Sequence, residues 1–211
     1  MRYSFIIVVT VMLAACTQSV AQDSVQLPKP GNDVKMSLVD ALWKRHSTRQ
    51  HPETPITDKE LGYLLWAASG INRPDDGRLT VPSAINAQDI AVYVCRADGT
   101  FLYNVAKHSI DRVNDKDLRK ACCGNDNKPE TAPIILLLVS NLEKFGSNQT
   151  PRTKTMASID AGYVSQNICL MCTALNLNTV PRMTMDYEVL TAELGLSDLQ
   201  LPLLNHPISK P

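Results

Sequence analysis

The sequence predicts an α+β domain, with about five helices around a small central sheet of mixed or antiparallel strands. Three observations favour this class: two capped helix starts near the N-terminus, an uninterrupted apolar run at 134–139, and a long helical pattern at 156–177. The apolar run is typical of a strand buried on both faces. At 211 residues the chain is long enough for one domain with a substantial core.

Composition excludes several classes of protein. Lys and Arg number 21 against 21 Asp and Glu, so no basic excess exists to neutralise nucleic-acid phosphates. A 44% hydrophobic content with zero net charge argues against intrinsic disorder. Six cysteines are too few for a disulfide scaffold and too scattered for a zinc module, so no metal site is predicted.

The N-terminus is predicted to be an export signal covering residues 1–21. A basic start is followed by an apolar run at 5–15 that is too short to span a bilayer. Two cleavage sites stay open. A lipobox ending at Cys16 would make Cys16 the acylated N-terminus, and we favour it over a cut after Ala21. We therefore expect an extracytoplasmic protein, periplasmic or membrane-anchored, whose only membrane contact is a lipid.

The helices have recognisable start signals. Residues 22–35 contain two prolines and a Gly-Asn pair, and are predicted to be a leader before a domain at 36–211. Ser37 with Asp40, and Thr57 with Glu60, are capping pairs that predict two helix starts. The second helix is expected to end at Gly70.

The remaining elements follow from apolar patterning. A strand at 90–94, a turn at 97–99 and a return strand at 101–103 predict a hairpin. Residues 105–123 are predicted to be helical, and a last short helix is expected at 186–194.

The helical pattern at 156–177 is apolar nearly all round, which indicates that a partner subunit covers one side of it. Cys169 and Cys172 are spaced as a redox C-x-x-C pair. They lie in mid-helix, however, where no helix N-terminus lowers the thiol pKa, so we expect buried structural residues. The vicinal Cys122 and Cys123 are predicted to pack at a helix end.

Two segments carry the chemistry. Residues 45–49, Arg-His-Ser-Thr-Arg, form a dense array of donors suited to phosphate and polyol oxygens, although such a cluster is also typical of a solvated helix end. Residues 65–73 read Leu-Trp-Ala-Ala-Ser-Gly-Ile-Asn-Arg, and residues 82–88 read Pro-Ser-Ala-Ile-Asn-Ala-Gln.

Together these segments resemble the nitroreductase family of FMN-dependent flavoproteins, in particular the branch of SagB-type dehydrogenases. Asp160-Ala161-Gly162, with Gln166-Asn167, matches the long central helix of that family. The resemblance covers residues 36–204 with the segments in the right order.

The resemblance implies an FMN site and a homodimer. In the family, residues matching Arg45 and Ser47 hold the FMN phosphate, the residue matching His46 lies along the ribityl chain, and the one matching Arg49 lies near the flavin N1–O2 edge. The second segment reaches the flavin from the other subunit through the residues matching Pro82, Ser83, Ala84 and Asn86. The flavin supplies the redox chemistry, so no catalytic acid or base of the protein is expected.

The chain departs from the family pattern in two places. Residues 181–184 lack the glutamate that commonly lies near the flavin N5, and only His206 or Lys210 is available for the phosphate near the C-terminus. Two functions stay open. The first is ping-pong hydride transfer from an unidentified reduced donor to a small aromatic, quinone or nitro acceptor outside the cytoplasm. The second is a non-catalytic, dimeric extracytoplasmic protein that binds a ligand or flavin.

Overall fold

The computed structural model describes residues 24–126, 128–147 and 149–211. The predicted export signal and Cys16 lie outside these residues. Five α-helices occur in the described ranges: α1 Leu38–Lys44, α2 Asp58–Ser69, α3 Arg119–Cys123, α4 Pro151–Ala174 and α5 Tyr187–Leu194. The strands described are β1 Ser24–Gln26, β2 Ile71–Arg73, β3 Arg78–Leu79, β4 Ile90–Arg96, β5 Gly99–Asn104, β6 Ser109–Asn114, β7 Ile134–Asn141, β8 Asn178–Thr179 and β9 Gln200–Ser209.

The main sheet is antiparallel throughout and larger than the sequence predicts. Over the described residues it has seven strands in the order β1-β6-β5-β4-β7-β9-β8, while β2 and β3 form a separate hairpin. The α+β class is confirmed. The size of the sheet was underestimated because its outer strands are short or carry polar residues, and they become strands only by pairing with neighbours.

Strand β7 lies inside the sheet between β4 and β9, and every residue from 134 to 140 is buried. Its even-numbered Leu136 and Leu138 pack with α2 and α4 on one face. Its odd-numbered residues pack with α3 and α5 on the other face. Alternation along a strand thus gives the sheet two apolar layers, and the prediction of a strand buried on both faces is confirmed.

The predicted helix starts are confirmed by their capping hydrogen bonds. Ser37 Oγ accepts the amide of Asp40 at 3.1 Å. Thr57 Oγ1 accepts the Glu60 amide at 3.2 Å, and the Glu60 carboxylate accepts the Thr57 amide at 2.6 Å, which completes a capping box. Helix α2 ends at Gly70, as expected.

Two predicted boundaries are corrected. Residues 105–123 are not one helical region, since β6 occupies its middle by pairing with β5 and only α3 at its end is helical. Part of the predicted leader also belongs to the domain, because β1 pairs with β6 through Val25 and Ile110 and because Leu27 is only 2% exposed. Pairing with a distant strand, which no local pattern reveals, decides both cases.

The cysteines of α4 are buried, as predicted. Burial raises the pKa of the Cys169 thiol and raises that of Cys172 well above its usual range. Cys122 and Cys123 are buried in the short helix α3, and the Sγ atoms of Cys95 and Cys122 lie 3.6 Å apart. Within the described ranges, no helix combines the length and apolar character needed to cross a bilayer.

Candidate functional site

The first predicted segment follows α1 directly and its backbone is tied to β8. Arg45 is the C-cap of α1. The amide of Thr48 donates to the Thr179 carbonyl at 3.0 Å, and the Asn178 side chain donates to the Gln50 carbonyl at 3.2 Å. The segment is therefore held at its middle and at its end.

The side chains of this segment are available for a ligand. Arg45 and Ser47 are half-buried, whereas His46 and Arg49 are exposed. His46 Nδ1 lies 2.9 Å from the Lys44 carbonyl oxygen. In the described part of the chain, no hydrogen bond or ion pair engages the side chains of Arg45, Ser47 or Arg49. The guanidinium of Arg45 and the hydroxyl of Ser47 suit a phosphate, so they fit the anionic end of FMN, and the second guanidinium, that of Arg49, adds a cation to the same segment.

The end of β9 lies beside this segment. The Asn178 amide that contacts Gln50 also donates to the Lys210 carbonyl at 3.4 Å. Lys210 Nζ lies 3.3 Å from Glu60 Oε2, so its charge is shared with the first turn of α2. Lys210 therefore lies near the segment but already has a protein partner.

His206, the other C-terminal candidate, is fully buried. Its Nε2 lies 2.8 Å from Ser165 Oγ and its Nδ1 lies 3.2 Å from Thr179 Oγ1. Burial lowers the pKa of His206 to about 3, so the ring is neutral. This geometry leaves neither nitrogen free for a phosphate oxygen and is against the predicted role.

The second predicted segment has an unusual backbone. Pro82 and Asn86 are exposed, and Ser83 and Ala84 are half-buried. Positive φ angles occur at Ile85 (50°), Asn86 (57°) and Gln88 (49°). For residues with a Cβ such angles cost of order 1–2 kcal/mol each, and they persist where the surroundings hold the chain firmly.

Two contacts hold that backbone. Both carboxylate oxygens of Asp160 lie near the amide of Ala84, Oδ1 at 3.1 Å and Oδ2 at 2.9 Å. The hydroxyl of Ser83 accepts the Gln88 amide at 2.9 Å. The Asp160 side chain on α4 thus anchors the start of the short 3₁₀ turn Ala84–Asn86.

The two segments lie against different parts of α4. The second contacts Asp160, whereas Arg45 acts electrostatically on the Cys169 thiol. Nine residues separate these two positions, which corresponds to two and a half turns and roughly 14 Å along the helix. The two predicted segments thus contact α4 at different heights.

Three polar features near these segments are assigned no role by the sequence-based prediction. Arg182, in the region that lacks the family's glutamate, donates to the Cys123 carbonyl and to Asp126, both at 3.3 Å. His51 is buried, and burial with the nearby Arg182 charge lowers its pKa to about 4. Among the described residues, neither ring nitrogen of His51 has a partner in hydrogen-bond geometry. The Thr48 backbone opposes part of the fall in the pKa of this ring.

The third feature is a buried pair of carboxyl groups, Asp89 and Asp160, each no more than 2% exposed. An acidic residue inside an apolar helix, or just before an apolar strand, is the signal that would have drawn attention to them. In the ranges that the structure covers, no group of His, Cys, Asp and Glu side chains is arranged to hold a metal ion.

The matches to known proteins decide the family. The model of the nitroreductase family matches residues 42–208, which is most of the chain. The chain belongs to the nitroreductase family. A provisionally named nitroreductase of Methanocaldococcus jannaschii is 31% identical over 167 residues, covering 75% of this chain and 83% of the relative.

Solved structures of the nitroreductase family share the fold. A provisionally named nitroreductase from Ralstonia eutropha superposes with a TM-score of 0.80 at 29% identity, covering 89% of each chain. A provisionally named NADH oxidase from Clostridium acetobutylicum has a TM-score of 0.59 at 19% identity, covering 82% of this chain and 87% of its own, which shows the fold alone. The predicted nitroreductase-like fold is confirmed, and the family supports a flavin oxidoreductase.

Proposed function

We propose that this protein is an FMN-dependent oxidoreductase of the SagB-type dehydrogenase branch. It transfers hydride in a ping-pong cycle from a reduced donor to a small aromatic, quinone or nitro acceptor. The observation that carries the proposal is that the side-chain donors of Arg45, Ser47 and Arg49 have no partner among the described residues, on a backbone held by β8. That set occurs in a chain whose family uses flavin.

The residues of the 45–49 segment contact different parts of the cofactor. When bound, FMN supplies the hydride chemistry itself. Arg45 and Ser47 bind the phosphate, and His46 lies along the ribityl chain. Arg49 presents a cation to the N1–O2 edge, where negative charge develops on reduction, and so favours two-electron transfer. No proton transfer by the protein is needed.

We propose a homodimer in which Pro82, Ser83, Ala84 and Asn86 contact the flavin of the partner. The separation of the two segments along α4 supports this, because a second copy brings the missing segment. Exposed apolar residues on two neighbouring helices also support it, since α1 packs on α4 and both helices expose large apolar side chains. These are Leu38, Val39, Leu42, Trp43, Ile159 and Tyr163.

We further propose that the protein works outside the cytoplasm, anchored through a lipid on Cys16. Metabolic labelling with a radioactive fatty acid tests this directly. Label is expected in the wild-type protein and is lost in Cys16→Ser, whereas Cys95→Ser keeps it. Equal labelling of wild type and Cys16→Ser would exclude the lipoprotein and leave the cut after Ala21.

One observation favours a second candidate, a non-catalytic protein that binds flavin or another ligand. The 181–184 region lacks the expected glutamate, and its Arg182 side chain is only 10% exposed, with Asp126 as an ion-pair partner. His206 is fully buried, so its ring is not available to a phosphate. A weakened site that still binds without turnover would have these features.

The visible spectrum of the purified mature protein separates the two candidates. We expect flavin absorption, retained on gel filtration with added FMN, that bleaches with a chemical reductant and returns on adding a quinone or nitroaromatic acceptor. Flavin that is bound and bleached but never reoxidised by any acceptor supports the second candidate. A colourless protein whose melting temperature does not change with FMN would overturn both flavin proposals.

A further inference from the structure

We propose that Asp89 and Asp160 share one proton and that this buried acid–carboxylate pair positions residues 82–86 for flavin binding. The inference rests on the proposed function only in taking FMN as the ligand. The anchoring itself is a property of the fold. Asp89 and Asp160 are thus positioning residues that act through the backbone of Ala84.

Asp160 is the anchor. Its carboxylate is 1% exposed on α4 and accepts the Ala84 amide. The next residues, Ile85 and Asn86, adopt left-handed backbone angles. A strained turn stays ordered only when neighbouring contacts compensate for its cost, and this hydrogen bond is the contact at its first residue. Loss of the Asp160 acceptor should therefore release the turn.

Asp89 controls that anchor. It lies directly before β4, is 2% exposed, and accepts the hydroxyl of Ser140 at Oδ2. Its Oδ1 has no donor among the described residues, and Asp89 and Asp160 border the same small cavity. Two ionised carboxylates carry only hydrogen-bond acceptors, so neither can donate to the other. A proton on Asp89 Oδ1 turns the contact into a donated hydrogen bond.

The surroundings favour this proton. A cavity of about 10 Å³ borders the pair, and no basic side chain lines it within the described residues. The titratable group that faces Asp89 is Asp160 on α4. The polar neighbours from other elements are Ser140 on β7, Ser69 on α2, and Ser83 and Gln88 in the second segment. Burial and the adjacent Asp160 raise the pKa of Asp89 to about 7.

The pair makes the second segment sensitive to pH. Below about pH 7 Asp89 carries the proton, and Asp160 accepts the Ala84 amide. As the pH rises through 7, the second buried negative charge repels Asp160 and weakens its hold. Linkage of one proton limits the effect on FMN affinity to about tenfold per pH unit.

Hydrogen exchange of the flavin-free protein tests the anchor without any ligand. Peptides covering residues 83–89 are compared at pH 6 and 8.5 after correction for intrinsic exchange. The wild type should lose protection at pH 8.5. Asp89→Asn, whose side-chain NH₂ imitates the shared proton, should stay protected at both values. Asp160→Ala should be unprotected at both, and the exposed control Asp75→Asn should match the wild type.

FMN titration by fluorescence then tests the consequence. The wild-type Kd should rise about tenfold between pH 7 and 8.5 as one proton is lost, and the Asp89→Asn value should not change. A pH dependence in Asp89→Asn equal to wild type would overturn the proposal, as would full protection of 83–89 in Asp160→Ala. If Asp160→Ala does not fold, Asp89→Asn decides alone. Absence of FMN binding in every variant, with the exchange pattern intact, would instead contradict the proposed function.

Discussion

Nε2 of His206 lies 2.8 Å from the hydroxyl oxygen of Ser165, in a site with no solvent exposure at the histidine. The contact joins the C-terminal strand β9 to the long helix α4. Thr179 of β8 approaches the other ring nitrogen. One neutral imidazole therefore connects three elements beneath the candidate phosphate segment.

Acid should destabilise the protein through this histidine. The folded pKa of His206 is about 3, below the ordinary 6.5. The unfolded chain therefore binds the proton first, and stability is complete above pH 6.5 and falls as the pH drops toward 3. Between pH 6.5 and 4 the loss is on the order of 3 kcal/mol, an upper estimate for one buried group. Urea unfolding across this range measures it.

The variant His206→Asn separates the effect of ring titration on stability from the effect of packing. His206→Asn should lower stability at pH 7, but its acid limb should be shallower because the titrating ring is gone. His46→Asn, which removes an exposed ring, is the matched control and should keep the wild-type slope. A slope unchanged in His206→Asn would assign the acid sensitivity to other groups.

Arg45→Ala should impair flavin retention far more than folding. The guanidinium is half-buried and is free of hydrogen bonds and ion pairs to the described residues, so its removal breaks no such internal contact. A charge-assisted contact to phosphate is worth about 1.5–3 kcal/mol, which corresponds to roughly 10- to 100-fold in Kd. Fluorescence titration with FMN and thermal melts of the flavin-free protein measure the two effects. Arg152→Ala, an exposed arginine at the start of α4, should change neither; a flavin affinity equal to wild type in Arg45→Ala would remove Arg45 from the phosphate site.

Trp43→Lys should separate the proposed dimer. Trp43 is 84% exposed in the single chain, on the apolar surface formed by α1 and α4. Burying an aromatic side chain of about 200 Å² contributes up to about 5 kcal/mol, so its loss should shift the association constant by more than 100-fold. Sedimentation analysis should find monomer at micromolar concentration, together with loss of bound flavin. Val113→Lys, on β6 and outside that surface, should stay dimeric, and a dimeric Trp43→Lys would exclude this surface.

Leu27→Ala should show that the predicted leader supports the core. Leu27 is 2% exposed and packs in the cluster between the sheet and α2. Removing a buried leucine side chain costs about 2–5 kcal/mol. Denaturant unfolding at pH 7 should detect this loss, while Lys29→Ala, an exposed neighbour, should stay within about 0.5 kcal/mol of wild type. Equal stability of both variants would mean that Leu27 does not support the core.

Much of the fold could be predicted because its signals are local. The capping pairs at Ser37 and Thr57 lie within four residues of the helices they start. The run at 134–139 is apolar at every position, which by itself indicates burial on both faces, and it forms the buried strand β7. The donor cluster at 45–49 could be recognised in the same way, from neighbouring residues.

The remaining features depend on residues far apart in the chain. The edge strand β1 exists because Val25 meets Ile110, and the buried carboxyl pair because Asp89 meets Asp160. The sequence by itself determined the starts of α1 and α2, the buried strand β7 and the donor cluster at 45–49. Only the tertiary structure decided which strands complete the sheet. It also decided that His206 is buried against α4, and that the Asp160 carboxylate of α4 holds the second segment. Pairing, burial and a shared proton are properties of packed neighbours, and no local pattern encodes them.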